Sequence, residues 1–313
     1  MPVAVRSTAL ALALAACGGD SGPSVEVVVS DATIGGAAPR VIGATSGTVN
    51  WTASLGAGTT HVAGASLAKL PATGSQLATA TGPVAHAGDT VVFGADMGIA
   101  RVGLDGAVMR LTPGSPEALD GSADIVAWTA GAVVSWGPDD AQKTATLGRI
   151  DSCDHLRITA RHIYVAADGS TGRRLFRIEQ NTAMATGVAS SSTWAAMFPA
   201  PLPDGAMLRG RIAAADDDGA LWLVEDMPTG RAIVVSQPLQ GDATVLLEHV
   251  RGATGFFATA DTMYWQEGDE LLAAPRAGGA ASIIATLPGP AGALADGYVY
   301  FVDGNAIKRI SVE

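Results

Sequence analysis

Val299-Tyr300-Phe301 and, after a short loop, Ile307-Lys308-Arg309-Ile310 set out the unit from which this chain is built. The first segment is aromatic and β-branched, a composition that favours strands. The second reads apolar, variable, basic, apolar. It recurs as Leu67-Ala68-Lys69-Leu70, Ile99-Ala100-Arg101-Val102, Leu147-Gly148-Arg149-Ile150 and Leu175-Phe176-Arg177-Ile178. The copies extend over about 240 residues, which six steps of about 40 would fill, and that period marks a propeller-type array.

The aromatic segment keeps step with the basic one. Seven copies are present: Val49-Asn50-Trp51-Thr52, Val91-Val92-Phe93, Ile125-Val126-Ala127-Trp128, Ile163-Tyr164-Val165, Leu221-Trp222-Leu223-Val224, Met263-Tyr264-Trp265 and Val299-Tyr300-Phe301. Tight turns at Asp105-Gly106, Gly241-Asp242 and Gly278-Gly279 each precede a third strand, and segments such as 83–87 and 292–295 supply a fourth. Four strands in about 40 residues is the size of a propeller blade. An isolated blade leaves both sheet faces wet, so blades must pack side by side.

The expectation is therefore an all-β chain forming a single propeller over residues 25–313, with about seven four-stranded blades and six or eight as alternatives. A pair of β-sandwiches with accidental periodicity is the competing fold. The interval from Tyr164 to Trp222 is too long for one repeat. Within it, residues 190–211, with Pro199, Pro201 and Pro203, read as an insertion or an eroded blade. The last unit lacks an outer strand, which residues 25–29 or 40–42 would supply from the N-terminal side, covering an edge that otherwise invites aggregation.

Asn50-Trp51-Thr52, Tyr264-Trp265-Gln266 and Tyr300-Phe301-Val302-Asp303 make the chain resemble the bacterial relatives of the six-bladed Tyr-Trp-Thr-Asp propellers and, more loosely, the NHL-type propellers. The copies are degenerate, and none reproduces the full four-residue motif.

The N-terminus reads as an export signal: Arg6, an apolar run from Ala9 to Ala16, and small residues at the cleavage point. That run is too short to span a bilayer, which takes about 20 residues, and no other segment supplies a transmembrane helix. Leu14-Ala15-Ala16-Cys17 resembles the lipobox of bacterial lipoproteins. The resemblance implies cleavage before Cys17 and a lipid thioether on it. Residues 1–16 are then a helical signal peptide and residues 17–24, rich in Gly and Ser, a flexible tether. The expected location is the cell envelope, in the periplasm or at the surface, with the outer membrane favoured over the inner.

Removing residues 1–16 takes away Arg6 and moves the formal charge from -11 to -12. So acidic a chain, with no Lys/Arg cluster, argues against a nucleic-acid partner. If Cys17 carries lipid, Cys153 is a lone thiol and no intrachain disulfide forms.

Few residues point to chemistry. Asp151-Ser152-Cys153-Asp154-His155, with His162 nearby, holds metal-ligating types but lacks the two converging pairs of a zinc site. Asp216-Asp217-Asp218-Gly219 resembles the start of a calcium loop and Glu225 stands at the offset of its last ligand, yet residues 221–224 read as a strand; a solvated acidic turn is expected. His61, His86 and His249 share no register, and neither a Gly-x-Ser-x-Gly elbow nor a His-Glu-x-x-His helix is present. Cys17, as lipid attachment site, is the one residue assigned a role; no catalytic, metal or cofactor residue is assigned, and no cofactor is expected. The expected function is a non-enzymatic, membrane-anchored propeller that binds or scaffolds a protein or glycan partner. The alternative is a lyase- or lactonase-like enzyme with a metal or acid/base site in the central channel.

Overall fold

A computed structural model describes residues 23–312 apart from 55, 57, 97, 139–141 and 171. The signal peptide, Cys17 and residues 17–22 of the tether lie outside the described residues. The rest forms seven antiparallel four-stranded sheets. Blades 1 to 6 are consecutive in sequence, over residues 39–80, 84–112, 118–146, 152–190, 208–251 and 254–286. Blade 7 takes three strands from residues 291–311 and its outermost from Val25–Val29. The first strand of every blade lies beside the first strand of the next, and that of blade 7 beside that of blade 1, so the ring is closed.

Seven apolar clusters hold the ring, one at each junction between neighbouring blades. The period-2 alternation of a strand feeds two junctions at once. In blade 5, Ala220, Trp222 and Val224 pack toward blade 4, while Leu221 and Leu223 pack toward blade 6. Burial on both faces is why these strands read as continuous apolar runs.

All seven aromatic segments fall on the second strand of a blade, and the alternatives of six or eight blades give way to seven. The strand from residues 25–29 closes the ring: Val25 pairs with Ile310 and Val29 with Ile307. Residues 40–42 belong instead to the first strand of blade 1. The long interval before Trp222 is an insertion, residues 191–207, between blades 4 and 5.

The basic repeat is corrected in two of its five copies. Arg101, Arg177 and Arg309 lie on third strands, but Lys69 and Arg149 lie in loops. Arg149 has φ of 43°, a left-handed conformation no strand adopts. A better marker of the repeat is the turn between first and second strands. The hydroxyls of Thr45, Ser122, Thr159 and Thr259 accept from the N–H three residues on, at Thr48, Ile125, His162 and Thr262, over 3.0–3.1 Å. In the same four turns the first residue's N–H donates to the carbonyl of that later residue. A short side chain thus fixes where these four aromatic strands start.

Candidate functional site

The two faces of the ring differ. One carries the turns joining first to second and third to fourth strands; the other carries the second-to-third turns and the connections between blades. On this second face most connections are short, at residues 81–83, 113–117, 252–253 and 287–290, whereas residues 191–207 build a platform between blades 4 and 5. Its one regular element is the short helix Ser191–Ala195. Trp194, 1% exposed, anchors it in the cluster formed by Ile212, Trp222 and Ile233. The indole lies so close to Gly210 that a Cβ there would stand 2.4 Å from the ring. Phe198 is buried behind it, with the Arg231 guanidinium 5.7 Å from its ring centre.

Beyond that anchor the platform exposes Ser192, Thr193 and Asp204 together with a set of apolar side chains. Pro199, Pro201 and Pro203 are exposed, and Met207 and Met227 are 66% and 48% exposed. The two methionines sit side by side because the Met227 N–H donates to the Met207 carbonyl at 3.0 Å, and the fully buried Asp226 accepts from the Met207 N–H at 3.2 Å and from the Thr229 hydroxyl.

Beneath the platform lies a polar cluster. Arg173, 4% exposed, donates to Asp168 at 2.7 Å, to Asp154, and through Nε to the Gly210 carbonyl at 2.9 Å. Its own carbonyl accepts from Ser191 at 3.0 Å, tying the base of the platform to blade 4. Cys153 is buried between blades 3 and 4, its Sγ 3.4 Å from the Gly131 carbonyl and its N–H bonded to Glu117. Burial first, then the Glu117 and Asp154 carboxylates, push its thiol up to about 12. A thiol so placed is a core residue rather than a nucleophile. The residues of 151–155 are thus parcelled out: the thiol to the core, Asp154 to Arg173.

His155 stands on the first strand of blade 4, and burial first, then the Arg157, Arg173 and Arg211 cations, bring its pKa down to about 3. The folded protein therefore holds it neutral where an unfolded chain, titrating near 6.5, takes up a proton. Stability is lost as pH falls from about 6.5 toward 3, on the order of 3 kcal/mol by pH 4. His155→Gln is expected to flatten this part of the stability profile, read as denaturation midpoints at pH 4 to 7; an unchanged acid limb would refute the assignment.

On the opposite face, Asp216-Asp217-Asp218-Gly219 is the turn into the second strand of blade 5. Asp216 Oδ1 accepts from the N–H groups of Asp218 and Gly219 at 2.9 and 3.0 Å, while Oδ2 pairs with Arg276 of blade 6. Asp217 reaches blade 4, accepting from the Thr159 hydroxyl at 2.6 Å and the Arg161 N–H at 2.9 Å. Burial opposes its charge, but these bonds and the Arg161 guanidinium outweigh it and hold the carboxyl below its usual range. The expected solvated turn is therefore realised by Asp218; its two neighbours bridge three blades. Glu225 lies opposite Arg209, toward the other end of the strand. Among the described residues no three His, Cys, Asp or Glu side chains converge to hold a metal ion. His61, His86 and His249 lie apart, in blades 1, 2 and 5.

No protein-family model matches the sequence, and no curated protein does. Solved structures match the fold. An oligogalacturonate lyase in complex with manganese is similar over 93% of this chain and 97% of its own, with TM-score 0.59 and 9% identity. The WD40 domain of Toxoplasma gondii coronin is similar over 93% of this chain and 84% of its own, with TM-score 0.54 and 10% identity. An acylaminoacyl peptidase of Pyrococcus horikoshii is similar over 88% of this chain and 52% of its own, with TM-score 0.55 and 6% identity. The fold is that of a seven-bladed β-propeller, shared by enzymes and by proteins that are not enzymes.

Of the two sequence readings of residues 190–211, an insertion or an eroded blade, the structure has the insertion, and no sequence pattern marks Met207 or Met227. Those two come together through Asp226, a pairing no periodicity encodes. Arg173, the partner of Asp154, is readable only once blade 4 is folded.

Proposed function

We propose that this chain is a non-enzymatic propeller, lipid-anchored in the cell envelope through Cys17, that binds a protein partner on the platform of residues 191–207 and the adjoining turn 227–230. One observation carries the reading: Met207 and Met227 stand exposed on a framework held from below by buried Trp194 and Asp226. Exposed methionines are adaptable contact surface, and a fixed frame with three prolines confines the ordering cost of docking to the side chains themselves. The polar groups beneath support binding over catalysis, since Arg173, Asp154 and Asp168 are engaged with one another and Cys153 is buried. A glycan would call for exposed aromatic side chains to stack on, and both aromatic residues of the platform, Trp194 and Phe198, are buried.

Site-specific photo-crosslinking in cells tests this. A crosslinker at Met207 or Met227 is expected to give a discrete protein adduct that Met207→Asp, placed beside a crosslinker at 227, reduces at least tenfold. A crosslinker at Met109, exposed on the outer strand of blade 2, is expected to give none. Adducts equal at all three positions, or absent from both platform positions, would overturn the reading. The lyase alternative rests on fold likeness; turnover of oligogalacturonate with added manganese by the purified protein would replace binding with catalysis.

A further inference from the structure

The described chain enters the ring at one face, and this fixes how an anchored propeller would stand. Val25 pairs with Ile310, and Ser311 with Tyr298, the residue that follows the first-to-second-strand turn of blade 7. The N-terminal strand therefore begins at the face opposite the platform. There Pro23 borders a groove of about 340 Å³ between blades 6 and 7, lined by the hydroxyl side chains Thr262 and Ser311 as well as by Tyr264, Ala273, Ile284 and Val312. Val25 and Val27, 51% and 39% exposed, extend the apolar part of this lining along the outer edge of blade 7. Val25 lies on the blade 6 side, since its cross-strand partner Ile310 belongs to the core between blades 6 and 7. Of the charges near this edge, Glu26 pairs with Arg309 and Lys308 with Asp303, while Asp261 and Asp296, in the first-to-second-strand turns of blades 6 and 7, are exposed carboxylates.

We infer that this groove and the exposed edge at Val25 and Val27 are a membrane-contact surface, occupied by the lipid of the bilayer that carries the Cys17 anchor, and that the platform consequently faces away from the membrane. The inference rests on the anchored reading of Cys17. Five residues separate Cys17 from Pro23, and the six steps between them span at most about 22 Å. A domain of this size has a radius of gyration of about 19 Å, so its far face lies beyond that reach. Apolar side chains at the tether's exit are thus held within reach of the lipid, where burying each methylene contributes about 0.8 kcal/mol.

The test separates orientation from lipidation. The mass of the N-terminal peptide of protein extracted from membranes reports whether Cys17 is acylated. Independently, the processed chain is coupled through Cys17 to maleimide-bearing lipid in phosphatidylethanolamine/phosphatidylglycerol vesicles; Cys153, buried with its thiol pushed up to about 12, does not compete. Amide hydrogen exchange is then compared with that of the uncoupled protein. Residues 23–27, 259–264 and 311–312 are expected to exchange at least threefold more slowly on vesicles, and residues 199–207 and 227–230 unchanged. With Val25→Asp and Val27→Asp together, the protein stays coupled and the slowing disappears. Slowing at the platform, slowing nowhere, or slowing that survives the double substitution overturns the inference. An unacylated native Cys17 overturns the anchored reading alone.

Discussion

Removing residues 1–31 destroys the ring as a cooperative unit, although the deletion takes away one strand of the described structure. That strand, Val25–Val29, is the fourth of blade 7, and without it the strand Ala306–Ser311 becomes an open edge. Val28 and Val29, 0% and 1% exposed, belong to the core that joins blade 7 to blade 1. Burying each contributes about 1.5–3 kcal/mol. Further ties go with them: the Ala72 N–H donates to the Val28 carbonyl and Glu26 pairs with Arg309. The sum reaches much of the 5–15 kcal/mol that holds a typical domain. Because the blades form a closed cycle, opening one junction also removes the constraint on the other six. The truncated chain is expected to aggregate or to melt broadly, at least 15 °C below the full chain, by circular dichroism and size exclusion. A sharp melt within 5 °C of the full-length value would show that closure by this strand is dispensable.

The fold was legible because each second strand is buried on both faces and so announces itself as an aromatic, β-branched run. Positions 51, 93, 128, 164, 222, 265 and 300 mark the seven blades directly. The basic pattern misled at Lys69 and Arg149 because four residues of apolar-variable-basic-apolar fit a loop as well as a strand; only the backbone, left-handed at Arg149, tells them apart. The Ser/Thr turn before the aromatic strand was available in the sequence at Thr45, Ser122, Thr159 and Thr259 and would have set the register more firmly. The platform was less legible. Three prolines announced a break in the repeat, but the partners that fix its shape, Gly210 under Trp194 and Asp226 under Met207, lie in strands of another blade. The acidic turn read as solvent-facing for the same reason, since Thr159 and Arg276 meet it only when blades 4, 5 and 6 are side by side.

Trp51→Ala is expected to cost about 3–5 kcal/mol, the range for a large aromatic removed from a core. Trp51 is 1% exposed on the second strand of blade 1, and it does two things there. Its ring fills the junction with blade 7 beside Val28, Val41, Tyr300 and Ile307. Its Nε1 donates to the Ala32 carbonyl at 2.9 Å, pinning the chain as it leaves the closing strand. Trp51→Phe keeps much of the ring and loses that bond, leaving the carbonyl unpaired, so a smaller loss of about 1–2 kcal/mol is expected. The fit is tight on the far side, where a Cβ on Gly74 would stand 2.4 Å from Trp51 Cη2. Gly74→Ala alone therefore overpacks the site, costing about 1–3 kcal/mol. In the Trp51→Ala background the same methyl enters the space the indole has left, and the two losses are expected to fall short of their sum by at least 1 kcal/mol. Urea unfolding of the four proteins closes the cycle. Additive losses would mean that Gly74 and the indole do not meet, and a cost below 1 kcal/mol for Trp51→Ala would remove Trp51 from the junction that closes the ring.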